Sequence, residues 1–463
     1  MTLFKRREVN MLEGPLIPMI IAFAVPLMLS NLLQVLYSAA DMVIVAQAGV
    51  EGAVGAIGTT TQVMNLVIHA FIGFSIGANV LAARLIGAEE NERIPDAVHT
   101  AITAGLLAGL AGAVVGFLAA PAAMTMMGDE GAVWEMAVKY CRIRAVGLPL
   151  LALTNFCVAI FRAKGDSTTP LTVLSISGAL NVALNLLFVR VFKMDVDGVA
   201  WATVASSGFS AAQLLYFLTK EQGPCRVVLR KLRIRWGELR EILQIGVPAA
   251  LQSVLYSLSN TIIASSVVSV NNRVCPGGSY VLDGHSAGGS IESFMTTCGE
   301  ALTLSYVSFT SQHCGAKLYK RLKTFIADAY LCGVVLMLIF SGLILLFRDP
   351  LLSLYLKDPR AYETAHLRLL MLGSTYFIWI CMCTGGQILR GMGKSTTAML
   401  ITLISTCLLR IVWIYTVFAR FGTLESVYVS YPISWIVASI AQFVGVFLCY
   451  RSITGKTGAV PAD

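Results

Sequence analysis

A short loop sequence occurs twice in this chain. Positions 161–170 read Phe-Arg-Ala-Lys-Gly-Asp-Ser-Thr-Thr-Pro, and positions 389–398 read Leu-Arg-Gly-Met-Gly-Lys-Ser-Thr-Thr-Ala. The two copies are 228 positions apart in a chain of 463 residues, and the Gly-Ala pairs at 87–88 and 315–316 have the same offset. Two markers at one spacing indicate an internal duplication, so both halves must be able to form the same arrangement of elements.

The composition indicates that the duplicated chain lies in a membrane. Hydrophobic residues make up 56% and charged residues 13%, whereas soluble domains carry about 25% charged residues. The first apolar run is too long for the core of a cleavable signal peptide. Runs of about 20 apolar residues are read as spanning helices. The predicted spans are 17–47, 54–86, 97–119, 136–160, 169–189, 197–219, 241–270, 288–313, 324–347, 364–388, 397–418 and 425–450. We therefore expect an all-α membrane protein of twelve transmembrane helices in two six-helix lobes.

The predicted organisation is an N-terminal lobe at 1–219, a charged cytoplasmic linker at 220–240, and a C-terminal lobe with a short tail at 241–463. Six spans per half give the halves one orientation, so we expect a pseudo-twofold axis along the membrane normal. Most of the 34 Lys and Arg residues fall in loops on the side of the N-terminus, which places both termini in the cytoplasm. This asymmetry accounts for the net charge of +8 without nucleic-acid binding. The plasma (inner) membrane is the expected location.

An acidic residue lies inside the first predicted span. Ionised Asp at the bilayer centre costs about 2.5–3.5 kcal/mol, so Asp41 is expected to face protein or water. Four further polar residues fall at a similar depth in the outer half of the first lobe: Tyr140, Asn181, Asn185 and Thr203. The two asparagines are four residues apart and share one helix face. This cluster predicts a cation or proton site. The alternative is that each group only forms hydrogen bonds within its own bundle.

The predicted site suits either of two ions. Burial disfavours the charged form of a carboxylate, so Asp41 can take up a proton from outside and release it inward after a conformational change. Carboxylate, amide and hydroxyl oxygens are also hard ligands that can hold Na⁺. The sequence leaves both ions open.

The second half carries different polar residues. Leu-Tyr-Ser-x-x-Asp41 in the first span reappears as Leu-Tyr-Ser-x-x-Asn260 in the seventh, so an amide replaces the acid. Glu292 and Glu300 of the eighth span are expected to face the cavity between the halves, although Glu292 can instead lie in water at the membrane interface. Arg410 lies in the eleventh span, and we expect a carboxylate or a helix end as its partner. A structural ion pair and a substrate role are both open for it.

Patterns for catalysis and for nucleotide binding are not found. The sequence Gly-Met-Gly-Lys-Ser at 391–395 falls short of the phosphate loop, because Ile388 stands where its first glycine is required. No Ser-His-Asp or His-Glu-x-x-His pattern appears, and the eleven cysteines lack zinc or redox spacing. We expect no enzyme activity, no cofactor and no metal other than Na⁺ at the Asp41 site.

The repeated loops are expected to be structural. They lie at the cytoplasmic ends of the fourth and tenth spans. Their Ser and Thr residues are predicted to be N-caps of the following helices, and their glycines to permit the turns.

Taken together, these features resemble the multidrug and toxic compound extrusion (MATE) transporters. The resemblance rests on the two Arg-x-x-Gly-x-Ser-Thr-Thr loops, Asp41, the Asn181–Asn185 pair, Gly198-Val-Ala-Trp-Ala-Thr203, Tyr140-x-Arg-x-x-x-x-Gly-x-Pro149 and Ile291-Glu-Ser-Phe294. It extends over about residues 15–450. It implies two six-helix lobes around a V-shaped cavity, and export of organic cations and other amphipathic compounds against an inward flow of H⁺ or Na⁺. The family's first-lobe cation site maps onto the five-residue cluster around Asp41.

The predicted function is a cation-coupled antiporter that exports organic, cationic or amphipathic drugs and toxins by alternating access. The first, second, seventh and eighth spans are expected to line its cavity. The predicted substrate contacts are Gln34, Met64, Tyr256, Met295 and Glu300. Methionine and aromatic surfaces adapt to varied ligands, and an acid favours cations. We expect small-molecule substrates, H⁺ or Na⁺ and the lipid bilayer as partners, and a monomeric state.

Two other classes are weighed against the antiporter. A flippase for a lipid-linked saccharide, related in architecture, needs several Arg or Lys residues for the pyrophosphate, and the interior spans offer chiefly Arg410. A membrane-embedded transferase needs paired His or acidic groups at one depth. Neither pattern is indicated by the sequence.

Overall fold

The structure is a computed structural model that describes residues 8–48, 53–127 and 131–456. Throughout these ranges the regular structure is helical, apart from an isolated β-bridge between Glu8 and Asp166. The basic residues at positions 5–7, which contribute to the predicted charge asymmetry, lie outside the described residues.

The first seven helices extend over the N-terminal half of the described chain. They are α1 (Leu16–Ala48), α2 (Ala53–Gly87), α3 (Ile94–Met126), α4 (Gly131–Val146), α5 (Leu148–Ala163), α6 (Thr168–Leu186) and α7 (Val196–Thr219). A π-helical turn, Leu187–Val191, extends α6. A short 3₁₀ turn, Leu229–Lys231, follows α7.

The remaining helices follow in the C-terminal half. They are α8 (Trp236–Val274), α9 (Tyr280–Gly315), α10 (Tyr319–Leu346), α11 (Arg348–Tyr355), α12 (Pro359–Arg368), α13 (Tyr376–Gly391), α14 (Ser395–Thr402), α15 (Leu409–Trp413), α16 (Ala419–Phe421) and α17 (Leu424–Lys456). A π-helical turn, Leu369–Gly373, extends α12. Two more, Leu403–Leu408 and Ile414–Phe418, join α14, α15 and α16 into one long helix.

Eight of the described helices are individually long and apolar enough to cross a membrane: α1, α2, α3, α6, α8, α10, the joined helix α14–α16, and α17. Two further spans are bent helix pairs, α4 with α5 and α12 with α13. The long helices α7 and α9, of 24 and 36 residues, coincide with the two remaining predicted spans. The prediction of an all-α protein with twelve membrane helices is therefore confirmed.

Two spans that were expected to be single helices are bent. The fourth span changes direction by 46° between α4 and α5, and the tenth by 49° between α12 and α13. The first bend has a local cause at Gly147 and Pro149. Proline lacks the backbone N–H that a continuing helix needs, and it is tolerated in the first turn of α5. The bend re-aims α4, the helix that carries Tyr140.

Packing divides the described chain into two compact units. The first unit contains 8–13 and Ala22–Ala250, and the second contains Gly14–Ile21 and 251–456. The boundary therefore lies inside α8, two residues after Pro248. The segment predicted as a linker at 220–240 packs with the first unit through its buried residues, among them Cys225 and Val227.

Each unit has its own apolar core. In the first unit, Phe74 of α2 and Phe156 of α5 meet edge to face with their ring centroids 5.2 Å apart. In the second unit, Tyr376 of α13 packs against Trp435 of α17 at 5.2 Å. The outer surfaces are apolar as well, and Leu118 of α3 is 73% exposed. Large apolar groups on the outside are expected where the surrounding solvent is lipid.

The glycines of the two repeated loops adopt the left-handed conformation. Gly165 has φ +90° and Gly393, at the equivalent position, has φ +79°, a region that glycine reaches without steric cost. A Cβ on Gly165 would lie 2.4 Å from the carbonyl oxygen of Val9. The predicted role of these glycines in the turns is confirmed.

The prediction that Ser and Thr cap the helices after these loops is wrong. Ser167 stands at the N-cap of α6 without a capping hydrogen bond. Instead, Asp166 Oδ1 accepts the backbone N–H groups of Thr168 at 3.1 Å and Thr169 at 2.9 Å. A carboxylate has two oxygens with which to accept several donors at once. In the second loop Lys394 stands before α14 and makes no side-chain cap.

Candidate cation site

Three helices of the first unit bring together four of the predicted ion-site residues. Asn185 of α6 donates a hydrogen bond through Nδ2 to Asp41 Oδ1 of α1. The same Nδ2 lies 3.3 Å from the Oδ1 of Asn181, one turn earlier on α6. Asn181 Nδ2 lies 3.4 Å from Thr203 Oγ1 of α7. A continuous polar chain therefore connects α1, α6 and α7.

A serine that the sequence reading did not select completes this chain. Ser206 Oγ lies 3.3 Å from Asn181 Nδ2 and donates to the carbonyl oxygen of Thr203 at 3.0 Å. Thr203 Oγ1 in turn donates to the carbonyl of Val199 at 2.9 Å. The available signal was the spacing of three residues from Thr203, which places both hydroxyls on one face of α7. These neutral contacts hold Asn181 in position.

The two asparagines of the polar chain are buried. Asn185 is fully buried, Asn181 is 6% exposed and Asp41 is half-buried. Asn185 Oδ1 is buried as well, and no donor reaches it from the described residues. An unpaired carbonyl oxygen in the interior is costly. An amide oxygen of this kind can accept a hydrogen-bond donor.

Tyr140 lies beside this cluster without joining the polar chain. It is 4% exposed and packs in the apolar group that includes Ile44 of α1 and Val199 of α7. Within the described part of the chain, its hydroxyl forms no hydrogen bond with the four polar residues. Arg144, one turn further along α4, is within electrostatic range of both Asp41 and Tyr140. The sequence reading missed Arg144, although an arginine inside a predicted span is a signal.

A small cavity of about 70 Å³ adjoins the site. Its lining includes Thr203, Arg144 and Met64, one of the predicted substrate contacts. The volume accommodates a few water molecules and is too small for an organic substrate. The cavity can therefore hydrate the neighbourhood of the ion site in this conformation.

The other predicted substrate contacts lie in different surroundings. Gln34 of α1 and Glu300 of α9 are exposed, and the Glu300 carboxylate makes no ion pair or hydrogen bond with any described residue. Tyr256 of α8 is half-buried, with its ring centroid 5.8 Å from the guanidinium carbon of Arg410. Met295 is 1% exposed in the core of the second unit. Their role in substrate binding stays a prediction.

Glu292 is buried, whereas the sequence predicted that it faces the cavity between the halves or lies in water at the membrane interface. It is 2% exposed, and its Oε2 lies 2.8 Å from Arg368 Nη2 at the end of α12. Tyr376 donates its hydroxyl to the same oxygen at 3.0 Å, and Arg368 Nη1 lies 2.7 Å from the His285 ring. Two buried charges that pair and form hydrogen bonds offset much of their desolvation cost. The expectation failed because the arginine partner is 76 positions away in the sequence.

Among the described residues, Arg410 has no carboxylate or helix-end partner of the kind that was expected. The residue is fully buried. Its Nε donates to Ser434 Oγ at 2.8 Å and its Nη1 donates to Asn260 Oδ1 at 3.0 Å. The guanidinium lies over the Tyr431 ring, 4.3 Å from the centroid. The expectation was wrong because the position that holds Asp41 in the first half holds an amide in the second.

An acid set among amides and hydroxyls inside a bundle of apolar helices is the kind of polar cluster that marks substrate or ion pathways in membrane transport proteins. The profile of the MatE family matches residues 26–187 and 248–416. The chain belongs to this family, the multidrug and toxic compound extrusion transporters. The resemblance inferred from the repeated loops is thereby confirmed.

Relatives and solved structures agree with this assignment. The chain is 31% identical to "Probable multidrug resistance protein YoeA" of Bacillus subtilis, over 76% of this chain and 75% of that protein. It is 24% identical to the "FAD transporter" of Shewanella oneidensis, over 79% and 80%. A solved structure described as the outward-facing conformation of a multidrug resistance MATE family transporter covers 97% of this chain and 99% of that chain, with TM-score 0.89 and 21% identity. This structural match supports the fold.

Proposed function

We propose that the protein is a cation-coupled antiporter that exports organic, cationic or amphipathic compounds by alternating access. Membership of a multidrug efflux family supports the export of small molecules. The observation that carries the ion coupling is the Asp41–Asn185 contact, in which a half-buried carboxylate adjoins a buried amide oxygen without a donor. The proposed location is the plasma (inner) membrane, with both termini in the cytoplasm.

In this proposal Asp41 is the group that binds H⁺ or Na⁺ from the outer side. Binding neutralises the carboxylate and gives Asn185 Oδ1 a partner, which stabilises the conformation with the ion enclosed. Asn181 and Thr203 position Asn185 through the polar chain, while Tyr140 closes the site on its apolar side. Release of the ion to the cytoplasm restores the charge on Asp41. The ion drives the change only by binding the two conformations with different affinity.

The available energy suffices for export without ATP. One elementary charge that moves across 100 mV releases about 2.3 kcal/mol. At about 1.4 kcal/mol per decade, this sustains a gradient of roughly fiftyfold. The proposed substrate contacts remain Gln34, Met64, Tyr256, Met295 and Glu300, since methionine and aromatic groups adapt to varied ligands and Glu300 offers an exposed carboxyl group.

The test is export from energised cells and from proteoliposomes. The substrates are a cationic dye, ethidium, and an anionic flavin, because one relative is named a FAD transporter. With Asp41→Asn, the sustained dye gradient is expected to fall from at most roughly fiftyfold towards one, because the variant cannot bind the coupling ion as a carboxylate. Asp195→Asn is the matched control: it makes the same change at an exposed position before α7, whose side chain forms no cap.

The driving ion follows from the same assay. Proteoliposomes that carry only a pH gradient or only a Na⁺ gradient show which ion supports export. Export by Asp41→Asn at the rate and ion dependence of the unchanged protein would contradict the proposal. Export of the flavin and not of ethidium would keep the coupling and replace the cationic substrate class with an anionic one.

A further inference from the structure

The second unit contains a buried positive charge that the proposed coupling does not use. Arg410 of α15 has no exposed surface. Two of its three guanidinium nitrogens have acceptors, Ser434 Oγ and Asn260 Oδ1. The third, Nη2, is buried, and no acceptor for it exists among the described residues. No Asp or Glu of the described chain forms an ion pair with Arg410.

The direct contacts of Arg410 are polar or aromatic groups without a formal negative charge. The serine and the asparagine amide are neutral, and Arg410 lies 4.3 Å from the ring centroid of Tyr431 and 5.8 Å from that of Tyr256. Aromatic faces attract a guanidinium through their quadrupoles. They do not cancel its charge, so the site as a whole retains one positive charge.

The buried positive charge of Arg410 needs a counter-ion. Arginine stays protonated in proteins, so Arg410 cannot become neutral as a buried lysine or histidine can. A buried charge without an opposite charge is strongly destabilising, whereas a paired one is tolerated. The planar guanidinium presents N–H donors that suit carboxylate and phosphate oxygens. Nη2 is the donor that is free to bind such a group.

We propose that Arg410 and Asn260 form an anion-binding site in the second unit. Arg410 supplies the charge and the Nη2 donor. Asn260 Oδ1 faces the guanidinium and orients it, which leaves the amide Nδ2 as a second donor for the anion. The ligand is a small anion, either an inorganic ion such as chloride or phosphate, or the carboxylate or phosphate group of a transported organic molecule. This inference does not depend on ion coupling at Asp41.

The anion site can be tested by thermal unfolding of the purified full-length protein. The midpoint is measured at constant Na⁺ and ionic strength while chloride replaces gluconate, and the series is repeated with phosphate and acetate. A ligand that binds only the folded state raises the midpoint in a saturable way. We expect this rise in the unchanged protein and its loss in Arg410→Met. Arg420→Met makes the same substitution at an exposed position of the same long helix, and it is expected to retain the rise.

A second variant keeps the test decisive if Arg410→Met does not fold. Asn260→Asp places a carboxylate 3.0 Å from Arg410, where the amide oxygen now lies, and so supplies an internal counter-ion. We expect this variant to be at least as stable as the unchanged protein and insensitive to added anions. Asp41→Asn is expected to keep the anion response, so failure of the coupling proposal and failure of this one can be told apart.

The two sources of the anion give different results. A rise with chloride or phosphate alone assigns the site to an inorganic ion. A rise only with carboxyfluorescein, together with export of this dye that Asn260→Asp abolishes, assigns the site to the anionic group of a substrate. Equal midpoints in gluconate, chloride, phosphate, acetate and carboxyfluorescein would overturn the proposal and leave Arg410 as a structural cation.

Discussion

The two units contain the same arrangement of helices around a polar group of opposite charge. In the first unit Asp41 receives a contact from α6, the helix that follows the first repeated loop. In the second unit Asn260, which follows the same Leu-Tyr-Ser sequence, receives a contact from Arg410 in the helix that follows the second loop. The first unit thus has a negative group, Asp41, on its first spanning helix, and the second unit has a positive group, Arg410, on its fifth spanning helix.

The serines of these sites show how closely the arrangements correspond. Ser206 and Ser434 are 228 positions apart, the offset of the repeated loops. Each donates to the carbonyl three residues earlier, and each accepts from the preceding helix, Ser206 from Asn181 and Ser434 from Arg410. The duplication therefore retains a polar scaffold, and the two units place opposite charges in it.

A second pair of equivalent positions is uncharged in the first unit and charged in the second. Met64 and Tyr140 of the first unit are uncharged, and the residues 228 positions further on are Glu292 and Arg368. These two form a buried ion pair at 2.8 Å. The second unit thus neutralises its acid with a fixed partner, whereas Asp41 of the first unit has an amide as its direct contact. An acid that exchanges a small ion needs the arrangement of the first unit, in which the direct contact is neutral. In a fixed ion pair, the partner already occupies the place that the ion would take.

The largest expected effect on stability comes from breaking this ion pair. Arg368→Met leaves Glu292 buried without a counter-charge, and removing one partner of such a pair typically costs about 3–5 kcal/mol. The free energy of unfolding is measured by SDS titration in mixed micelles. Tyr140→Phe, at the equivalent position of the first unit, is expected to cost less than about 1 kcal/mol, since no described residue accepts a hydrogen bond from its hydroxyl.

A double variant separates the charge effect from lost packing. In Glu292→Gln with Arg368→Met no acid remains at this site, so most of the lost stability is expected to return. If the double variant is as unstable as Arg368→Met alone, packing rather than charge accounts for the loss. The contrast between a fixed pair and an exchangeable acid would then fail.

The sequence was sufficient to predict the helical spans and the polar cluster of Asp41, Asn181, Asn185 and Thr203. Apolar runs of spanning length mark the helices directly, and matching depth along helices of predicted direction placed Asp41 and Asn185 at one level. The side-chain pairings of the second unit were not predictable in this way. Glu292 is paired with Arg368 of α12, 76 positions later in the chain. No described acid pairs with Arg410, because the neighbouring helices present an amide and a hydroxyl to it. Such facts depend on how helices rotate against one another, which apolar periodicity leaves undetermined.

The repeated loops offer an intermediate effect. Gly165→Ala and Gly393→Ala both force an L-residue into the left-handed region, which costs about 1–2 kcal/mol. The loss is expected to be larger at Gly165, because the added Cβ would lie 2.4 Å from the Val9 carbonyl oxygen and displace that backbone. SDS titration of both variants gives the comparison. If both variants lose the same free energy of unfolding, the N-terminal segment that contains Val9 moves aside without cost. If neither variant loses stability, the turns adjust to the added methyl group.

The smallest effect expected to be measurable concerns the caps of the helices that follow these loops. Asp166→Ala removes the acceptor of the Thr168 and Thr169 backbone N–H groups, and loss of an N-cap typically costs about 0.5–2 kcal/mol. Lys394→Ala, in the second loop, is expected to cost close to nothing, because Lys394 is exposed and makes no side-chain cap.

Asn at position 166 serves as the control for this prediction. Its side-chain oxygen can still accept a backbone N–H, and asparagine is as good an N-cap as aspartate, so Asp166→Asn is expected to retain most of the stability. If Asp166→Asn loses as much as Asp166→Ala, the negative charge matters more than the cap. The two repeated loops would then differ in the charge of the residue before the helix, Asp166 or Lys394, as the buried sites differ in the charge of Asp41 and Arg410. The difference would not be limited to whether that residue caps the helix.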